Sequence, residues 1–235
     1  MSKETVVLPG DPEHVVMRFA PNPNGPLTIG HARGVVVNSY LADKYDGKFI
    51  LRYDDTDPKI KRPLKEAYDW IVEDCRWLGA NPDKVVVSSE RIDVYYGYAE
   101  KLIKQGKAYV CLCSQKDFKR CKDAGKPCPH HEDTVEENIR LWGKMLAGGY
   151  EEKEAVLRVK TELDNPDPAL RDWVAFRIVK DTHPHVGDKY NVWPMLDFQS
   201  AIEDHLQDVT HIIRGKDLMD SEKRQRYIYD YFGWE

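Results

Sequence analysis

Strand-like and helix-like runs alternate along the first half of the chain, and this restricts the fold more than any other feature. His14–Phe19 (HVVMRF), Lys48–Tyr53 (KFILRY) and Lys84–Val87 read as strands. Ile29–Tyr45, Pro63–Leu78 and Arg91–Gln105 read as helices, the second stopped by Gly79 and the third by Gly106. Strands separated by helices of this length imply βαβ units and a parallel sheet, with the ligand crevice at the carboxyl ends of the strands. From Ala108 the texture changes. Cys111–Glu132 is rich in Cys, Lys, Pro and Gly and shows no clear amphipathic period. Val135–Leu146 reads as a helix, and Ala155–Val159 and Ala175–Val179 read as strands around the Pro-rich turn Asp164–Pro168. The α/β style returns near Asn191, with Phe198–Leu206 as helix, Val209–Ile213 as strand and Ser221–Phe232 as helix. The expectation is an α/β domain (residues 12–108 and 191–235) interrupted by an inserted α+β domain (residues 109–190), a size normal for a small domain.

Composition removes several classes. The 235 residues are 41% apolar and 32% charged with a net charge of −5, whereas disorder needs few aromatics and a large net charge. No apolar run approaches the roughly 18–20 residues of a bilayer span, so no membrane partner is expected. Met1–Asp11 lacks the basic start and apolar centre of a secretory signal. Five cysteines without such a signal argue against a disulfide framework. A soluble, cytoplasmic protein is expected. The slight acidity argues against a general nucleic-acid coat but leaves room for a local basic patch.

Arg18–Arg33 (RFAPNPNGPLTIGHAR) is the most informative stretch. A strand ends in a turn too rich in Pro and Gly to continue as sheet, and a helix starts near Ile29. The first turn of such a helix offers unpaired N–H groups and a positive dipole end, a seat for phosphate. Gly30 puts no side chain between the helix start and a base or ribose, and His31 can donate to a phosphate oxygen. The plain alternative is a βα loop with one surface histidine; the whole arrangement favours a nucleotide.

Taken together, RFAPNPNGPLTIGHARG, LRYDDTDP, WPMLDF and DHLQDVTHIIRG resemble the catalytic domain of glutamyl-tRNA synthetases of the archaeal type, close to the glutaminyl enzymes, from Val15 to the end of the chain. The resemblance implies a Rossmann-like class I synthetase sheet interrupted by a domain that binds the tRNA acceptor end. It implies a glutamate–tRNA ligase core that uses ATP with Mg2+ to form glutamyl-adenylate and passes the acyl group to tRNA. The family's HIGH tetrapeptide reads Thr28-Ile29-Gly30-His31, so Thr28, Gly30 and His31 become the catalytic and ATP-binding candidates. Thr28 replaces a histidine and brings a hydroxyl without charge. Leu196 stands where relatives usually have a tyrosine beside the amino acid. In longer members a KMSKS-type loop and an anticodon-binding part follow, so only weak activation is expected from these 235 residues.

Arg18 and Arg214 each end a strand-like run, and guanidinium can grip carboxylate in bidentate fashion. Strand-end arginines also pair with surface acids. The resemblance implies that both contact bound glutamate, with Arg214 favouring glutamate over glutamine. By the same resemblance Asp54 binds the substrate α-ammonium and Ser200 lies near a further amino-acid contact. Asp55 and Asp57 read as structural residues of a turn-forming DDTDP.

Cys111-Leu-Cys113 and Cys128-Pro-His130 form a CxC…CxH array. Four N/S donors in two pairs match a closed tetrahedral Zn2+ site, with Cys121 and His131 as substitutes and Cys75 as ordinary core. Lys116, Lys119, Arg120, Lys122 and Lys126 outnumber Asp117 and Asp123 by three charges. Such a run is a solvated face or, within the inserted domain, a contact for tRNA phosphates. Two rivals remain at this level: a stand-alone paralogue that glutamylates a modified tRNA base, and a non-catalytic tRNA-binding zinc module.

Overall fold

The computed structural model describes residues 7–10 and 13–234; most of the leader stretch 1–11, and the start (12) and end (235) read for the outer domain, lie outside the described residues. Strands β1 (Val16–Phe19), β2 (Lys48–Tyr53) and β3 (Lys84–Val87) pair in that order, all parallel. Helices α1 (Ile29–Lys44) and α2 (Lys65–Trp77) supply the crossovers that parallel pairing requires. Side chains alternate across each strand. Phe49, Leu51 and Tyr53 of β2 join Met17, Val35, Leu41, Ile71 and Cys75 in one apolar core. Val16, Ile50 and Val86 form a smaller cluster on the opposite face, which Arg18 and Arg52 share by the same alternation.

The return from α1 into β2 is tight. Asp46 adopts a φ of 51°, and a Cβ on Gly47 would stand 2.2 Å from the Val15 carbonyl oxygen. That oxygen accepts the Lys48 N–H at 2.8 Å, so position 47 has no room for a side chain beside β1.

Helix α3 (Ile92–Lys104) leads into a second, antiparallel sheet of β4 (Ala108–Cys111), β5 (Val156–Val159), β6 (Val174–Ile178) and β7 (Val192–Pro194). Helices α4 (Gln115–Asp123) and α5 (Val135–Leu146) lie between β4 and β5 in the chain, and α6 (Leu196–Leu206) and α7 (Met219–Phe232) follow β7. The larger core gathers Tyr95, Leu102, Leu141, Trp142, Leu157, Phe176, Trp193, Phe198, Ile202 and Ile228. In α6 every residue from Asp197 to Asp204 is buried. Its apolar residues enter this core, while Ser200 and Asp204 meet the arginines of β1 and β2.

Asp55, just past β2, ties the two sheets together. Its buried carboxylate accepts from the Tyr68 hydroxyl (2.6 Å), the Ser89 N–H (2.8 Å) and the Ser89 hydroxyl (2.7 Å). Its carbonyl accepts from Nε2 of the buried His183 at 2.7 Å. His183, in the turn after β6, stacks on Trp193 and takes the N–H groups of His185 and Val186 on Nδ1. Asp57 caps the next turn, accepting from the N–H groups of Lys59 (3.1 Å) and Ile60 (3.0 Å).

Three expectations need correction. Val209–Ile213 is not a strand; only a single parallel bridge joins His211 to Met17. The Thr210 hydroxyl accepts the Val16 N–H at 2.9 Å, so a side chain occupies the position where a ladder would place a carbonyl. The Cys-rich segment contains a helix, α4, which the sequence did not suggest, because Phe118 is its one buried side chain. Strands β4 and β7 were also not anticipated. Among the described residues no helix is long and apolar enough to cross a membrane.

Replacing Gly47 with alanine forces β1 and β2 apart at their start. Gly47→Ala is expected to lower stability by about 1–3 kcal/mol, the usual cost of overpacking, seen as a lower denaturation midpoint at unchanged slope.

Candidate functional site

Arg18 projects from β1 beneath α6 and is 7% exposed. Its Nε and Nη2 donate to the two carboxylate oxygens of Asp204 at 3.0 and 3.2 Å. Arg52, completely buried on β2, donates from Nη1 to Asp204 Oδ1 (2.7 Å), from Nε to Asp54 Oδ1 (2.9 Å) and from Nη2 to the Ser200 hydroxyl (2.8 Å). Burial alone would raise the Asp204 carboxyl, yet Arg18 and Arg52 hold it far below the usual carboxylate range. Burial likewise works against the Arg52 cation, and Asp54 and Asp204 overcome it. One carboxylate therefore organises two guanidinium groups.

Asp54 Oδ1 also accepts from Gln199 Nε2 at 2.6 Å, and the same nitrogen reaches the Ser88 hydroxyl at 2.8 Å. Chain segments following β2 and β3 thus converge on α6. Among the described residues nothing donates to Asp54 Oδ2, which remains free to accept a cationic group. Asn22, in the turn after β1, donates to the Asp54 carbonyl at 2.9 Å.

Arg214 enters the same region. Burial and the neighbouring Arg18 cation push its guanidinium below its ordinary value, against the pull of Asp204. Its Nη2 donates to an uncharged group, Gln225 Oε1 of α7, at 3.0 Å. Arg18 and Arg52 are paired with the carboxylates Asp54 and Asp204, whereas Arg214 makes no ion pair among the described residues and feels Asp204 and Glu222 only at longer range. The adjacent pair Arg91–Glu203, at 2.6 Å, is internally balanced.

The start of α1 forms an exposed step. Thr28 donates its N–H to His31 Nδ1 at 3.1 Å, and its hydroxyl lies 3.2 Å from the same nitrogen. Because Nδ1 accepts, the neutral ring carries its proton on Nε2, available to an external acceptor. A side chain on Gly30 would meet little beyond the Thr28 hydroxyl, at 3.6 Å. Phe19, next to Arg18 in β1, packs edge-on against His31 with centroids 6.5 Å apart. A separate surface cavity of about 500 Å³, lined by Tyr53, Tyr68, Val72, Val85 and His185 among others, includes none of these residues.

The donor atoms of Cys111, Cys113, Cys128 and His130 lie within 4.8 Å of one another. Cys111 and Cys128 sulfurs are 3.9 Å apart, and Cys113 Sγ is 3.4 Å from His130 Nδ1. Tetrahedral zinc with bonds of about 2.3 Å to sulfur and about 2.0 Å to nitrogen needs edges of about 3.5–3.8 Å, so the four fit such an ion. The Cys128 thiol is pushed down to about 4, first by the hydrogen bond with Cys111, whose own thiol is driven up. Cys121 lies outside the cluster, and His131 is engaged by Glu132 at 2.7 Å. On α4, Lys119 pairs with Asp123 and Arg120 with Asp117, whereas Lys116 and Lys126 make no ion pair among the described residues.

Of the residues that motifs suggest, Arg18, Asp54 and Ser200 are joined in one network through Arg52 and Asp204, and Arg214 lies in electrostatic reach of it while bonding Gln225; Arg52, Gln199, Asp204 and Gln225 are not singled out from the sequence. Arg52 carried a usable signal, a charge inside an otherwise apolar strand. Asp204 and Gln225 carried none, because acids and amides in helices are ordinarily solvated.

Residues 14–235 match the family model described as tRNA synthetases class I (E and Q), catalytic domain. The chain is 63% identical over 220 residues to a protein of Methanothrix thermoacetophila named glutamate–tRNA ligase, covering 94% of this chain and 39% of that one. A glutamate–tRNA ligase of Pyrococcus furiosus is 55% identical over 222 residues, again covering 94% and 39%. The chain thus spans about 40% of the length of the curated relatives it matches. Among solved structures, a glutamate tRNA ligase from Elizabethkingia meningosepticum in complex with its amino acid shares the fold, with a TM-score of 0.69 at 24% identity, covering 94% of this chain and 47% of that chain.

Asp204 contributes stability above its unfolded pKa of about 3.9, and that contribution is lost progressively as pH falls below it. Asp204→Asn leaves two buried guanidinium groups undercompensated. It is expected to cost about 3–5 kcal/mol at neutral pH and to flatten the acid limb of stability against pH, measured by urea denaturation.

Proposed function

This chain belongs to the class I tRNA synthetase (E and Q) catalytic-domain family, and on that premise we propose that it forms the catalytic core of a glutamate–tRNA ligase. The enzyme joins the α-carboxylate of glutamate to the α-phosphorus of ATP with release of pyrophosphate, and passes the acyl group to the 3' end of tRNA with release of AMP. The observation that carries this reading is the Arg214 guanidinium, which bonds a neutral amide and makes no ion pair among the described residues, in the same region as an Asp54 carboxylate oxygen to which none of those residues donates. An amino acid with an α-ammonium and a side-chain carboxylate complements both. The ammonium docks on Asp54, and the carboxylate docks on Arg214 and on the Arg18 N–H groups not used by Asp204. Glutamine, with a neutral amide, leaves the half-buried Arg214 without a charged partner, where unpaired charge is costly.

Catalysis in such a site is positioning and charge neutralisation without a covalent enzyme intermediate. His31 offers its Nε2 proton, Thr28 its hydroxyl and Gly30 an open shelf to the ATP phosphates and ribose. Magnesium carried by ATP supplies further neutralisation of the phosphates. The segment 109–190, with Lys116 and Lys126 unpaired on its surface, is the part suited to the acceptor end of tRNA. Cys111, Cys113, Cys128 and His130 would hold a structural zinc ion, and a cytoplasmic setting accords with their reduced thiols. No observation favours the base-glutamylating paralogue or the non-catalytic module.

The test uses the full-length enzyme. Glutamate-dependent exchange of pyrophosphate into ATP is expected, with glutamine a much poorer substrate. Arg214→Ala should raise KM for glutamate by about 10- to 100-fold, the loss of charge-assisted hydrogen bonds. Absence of glutamate-dependent exchange, or preference for glutamine, refutes the assignment.

For the metal, one zinc per chain is expected on elemental analysis. A chelator should lower the thermal midpoint of the wild type but scarcely that of Cys128→Ser. A metal-free protein whose midpoint ignores chelator would eliminate the site.

A further inference from the structure

Gln225 lies in α7 and is 5% exposed. Its Oε1 accepts from Arg214 Nη2 at 3.0 Å. Its Nε2 is buried and finds no partner among the described residues. Turning the amide over would set its NH2 against the guanidinium, so Arg214 dictates the orientation even though a donor is left unsatisfied, an arrangement with a real cost.

The other two guanidinium groups are held differently. Arg18 and Arg52 are each clamped by carboxylates, Asp204 for both and Asp54 in addition for Arg52. A carboxylate anchor fixes a guanidinium and cancels its charge. An amide oxygen fixes it and leaves the charge intact. Arg214 is the group anchored in the second way: Asp204 and Glu222 act on it without an ion pair among the described residues, and burial and Arg18 still hold it below its ordinary value.

We propose that Gln225 is a specificity-determining positioning residue: by holding Arg214 through an uncharged acceptor, it keeps the site selective for an acidic side chain over its amide. This rests on the reading of Arg214 as the glutamate carboxylate fork. Gln225 does not touch the reacting atoms; it acts through Arg214.

The experiment measures amino-acid-dependent pyrophosphate exchange by the full-length enzyme with glutamate and with glutamine, comparing wild type, Gln225→Glu and Gln225→Met. Gln225→Glu supplies an internal carboxylate that competes with the substrate. It is expected to raise KM for glutamate by about tenfold or more and to lower the glutamate-to-glutamine ratio of kcat/KM by a similar factor. Gln225→Met keeps the length but removes the acceptor, and should raise KM for glutamate by about three- to tenfold, the worth of one hydrogen bond. In both variants KM for ATP should stay within about twofold of wild type, because the ATP-facing residues are on α1. A purely structural role would instead move both substrates together and leave the ratio unchanged. If Gln225→Glu fails to fold, Gln225→Met decides. A ratio and a glutamate KM within about twofold of wild type in the folded variants overturn the proposal. A wild-type enzyme that activates no glutamate overturns it together with the reading beneath it, whereas an active wild type with indifferent variants overturns this inference alone.

Discussion

Asp204 is the point on which the two halves of the molecule close. One carboxylate, 1% exposed, accepts from Arg18 of β1 and Arg52 of β2. Burying three charges is expensive, and the expense is offset only when geometry is close and the remaining donors are satisfied. The geometry is close: Arg18 binds in bidentate fashion and keeps further N–H groups for a ligand, and Arg52 spends its remaining contacts on Asp54 and Ser200. The consequence is mechanical. Helix α6, which continues from β7 of the antiparallel sheet, cannot shift against the parallel sheet without parting buried ions. Asp55 and His183 make a second, largely uncharged tie between the same two sheets. The carboxyl ends of the parallel strands are therefore held against α6 at two places.

That closure also shapes the local charge. If each arginine had its own acid, the region would be neutral and indifferent to an anion. Asp204 is shared, Gln225 replaces an acid at Arg214, and Asp54 spends only one oxygen within the protein. The result is a positive group and a negative oxygen, each left partly unanswered in a region of reduced solvent. This is a complement to a zwitterion bearing an additional negative charge. Under the proposed function, low local dielectric would make discrimination steep, since a neutral side chain would leave the guanidinium charge unmet.

Much of the framework could be read from the sequence because its signal is local. β3 and α5 have the limits that periodicity predicts, and Gly79 ends α2 with a φ of 82°. The errors arise where long-range contacts decide. Val209–Ile213 has strand composition, but the Thr210 hydroxyl takes the Val16 N–H and stops a ladder before it starts. Within the site, Arg18, Asp54, Ser200 and Arg214 were legible through motifs. Asp204 and Gln225 were not, because a polar residue in a helix declares its burial only after the helix has been packed. Arg52 stands between these cases: charge in a strand whose last five residues are all buried is a sequence-visible sign that an acid must come from elsewhere.

The Cys/His cluster follows from a different shortage. Around it the apolar core shrinks to Tyr109, Cys111, Phe118 and Cys128, with only partly buried neighbours. Helix α4 offers it one buried side chain, and the segment from Lys126 to Asp133 is irregular. Area of that extent cannot order such a stretch by hydrophobic burial, given the entropy lost on fixing each residue. Cross-linking is the remaining means, and the donors sit where it is needed: two at the end of β4, two in the loop after α4. Within the protein these donors make only long contacts, 3.9 Å between the Cys111 and Cys128 sulfurs and 3.4 Å from Cys113 Sγ to His130 Nδ1. A bound cation would convert them into four strong bonds and make the fold of this segment inseparable from metal affinity. With a metal bound as proposed, this segment would depend on coordination chemistry where the rest of the molecule depends on buried ion pairs and apolar packing.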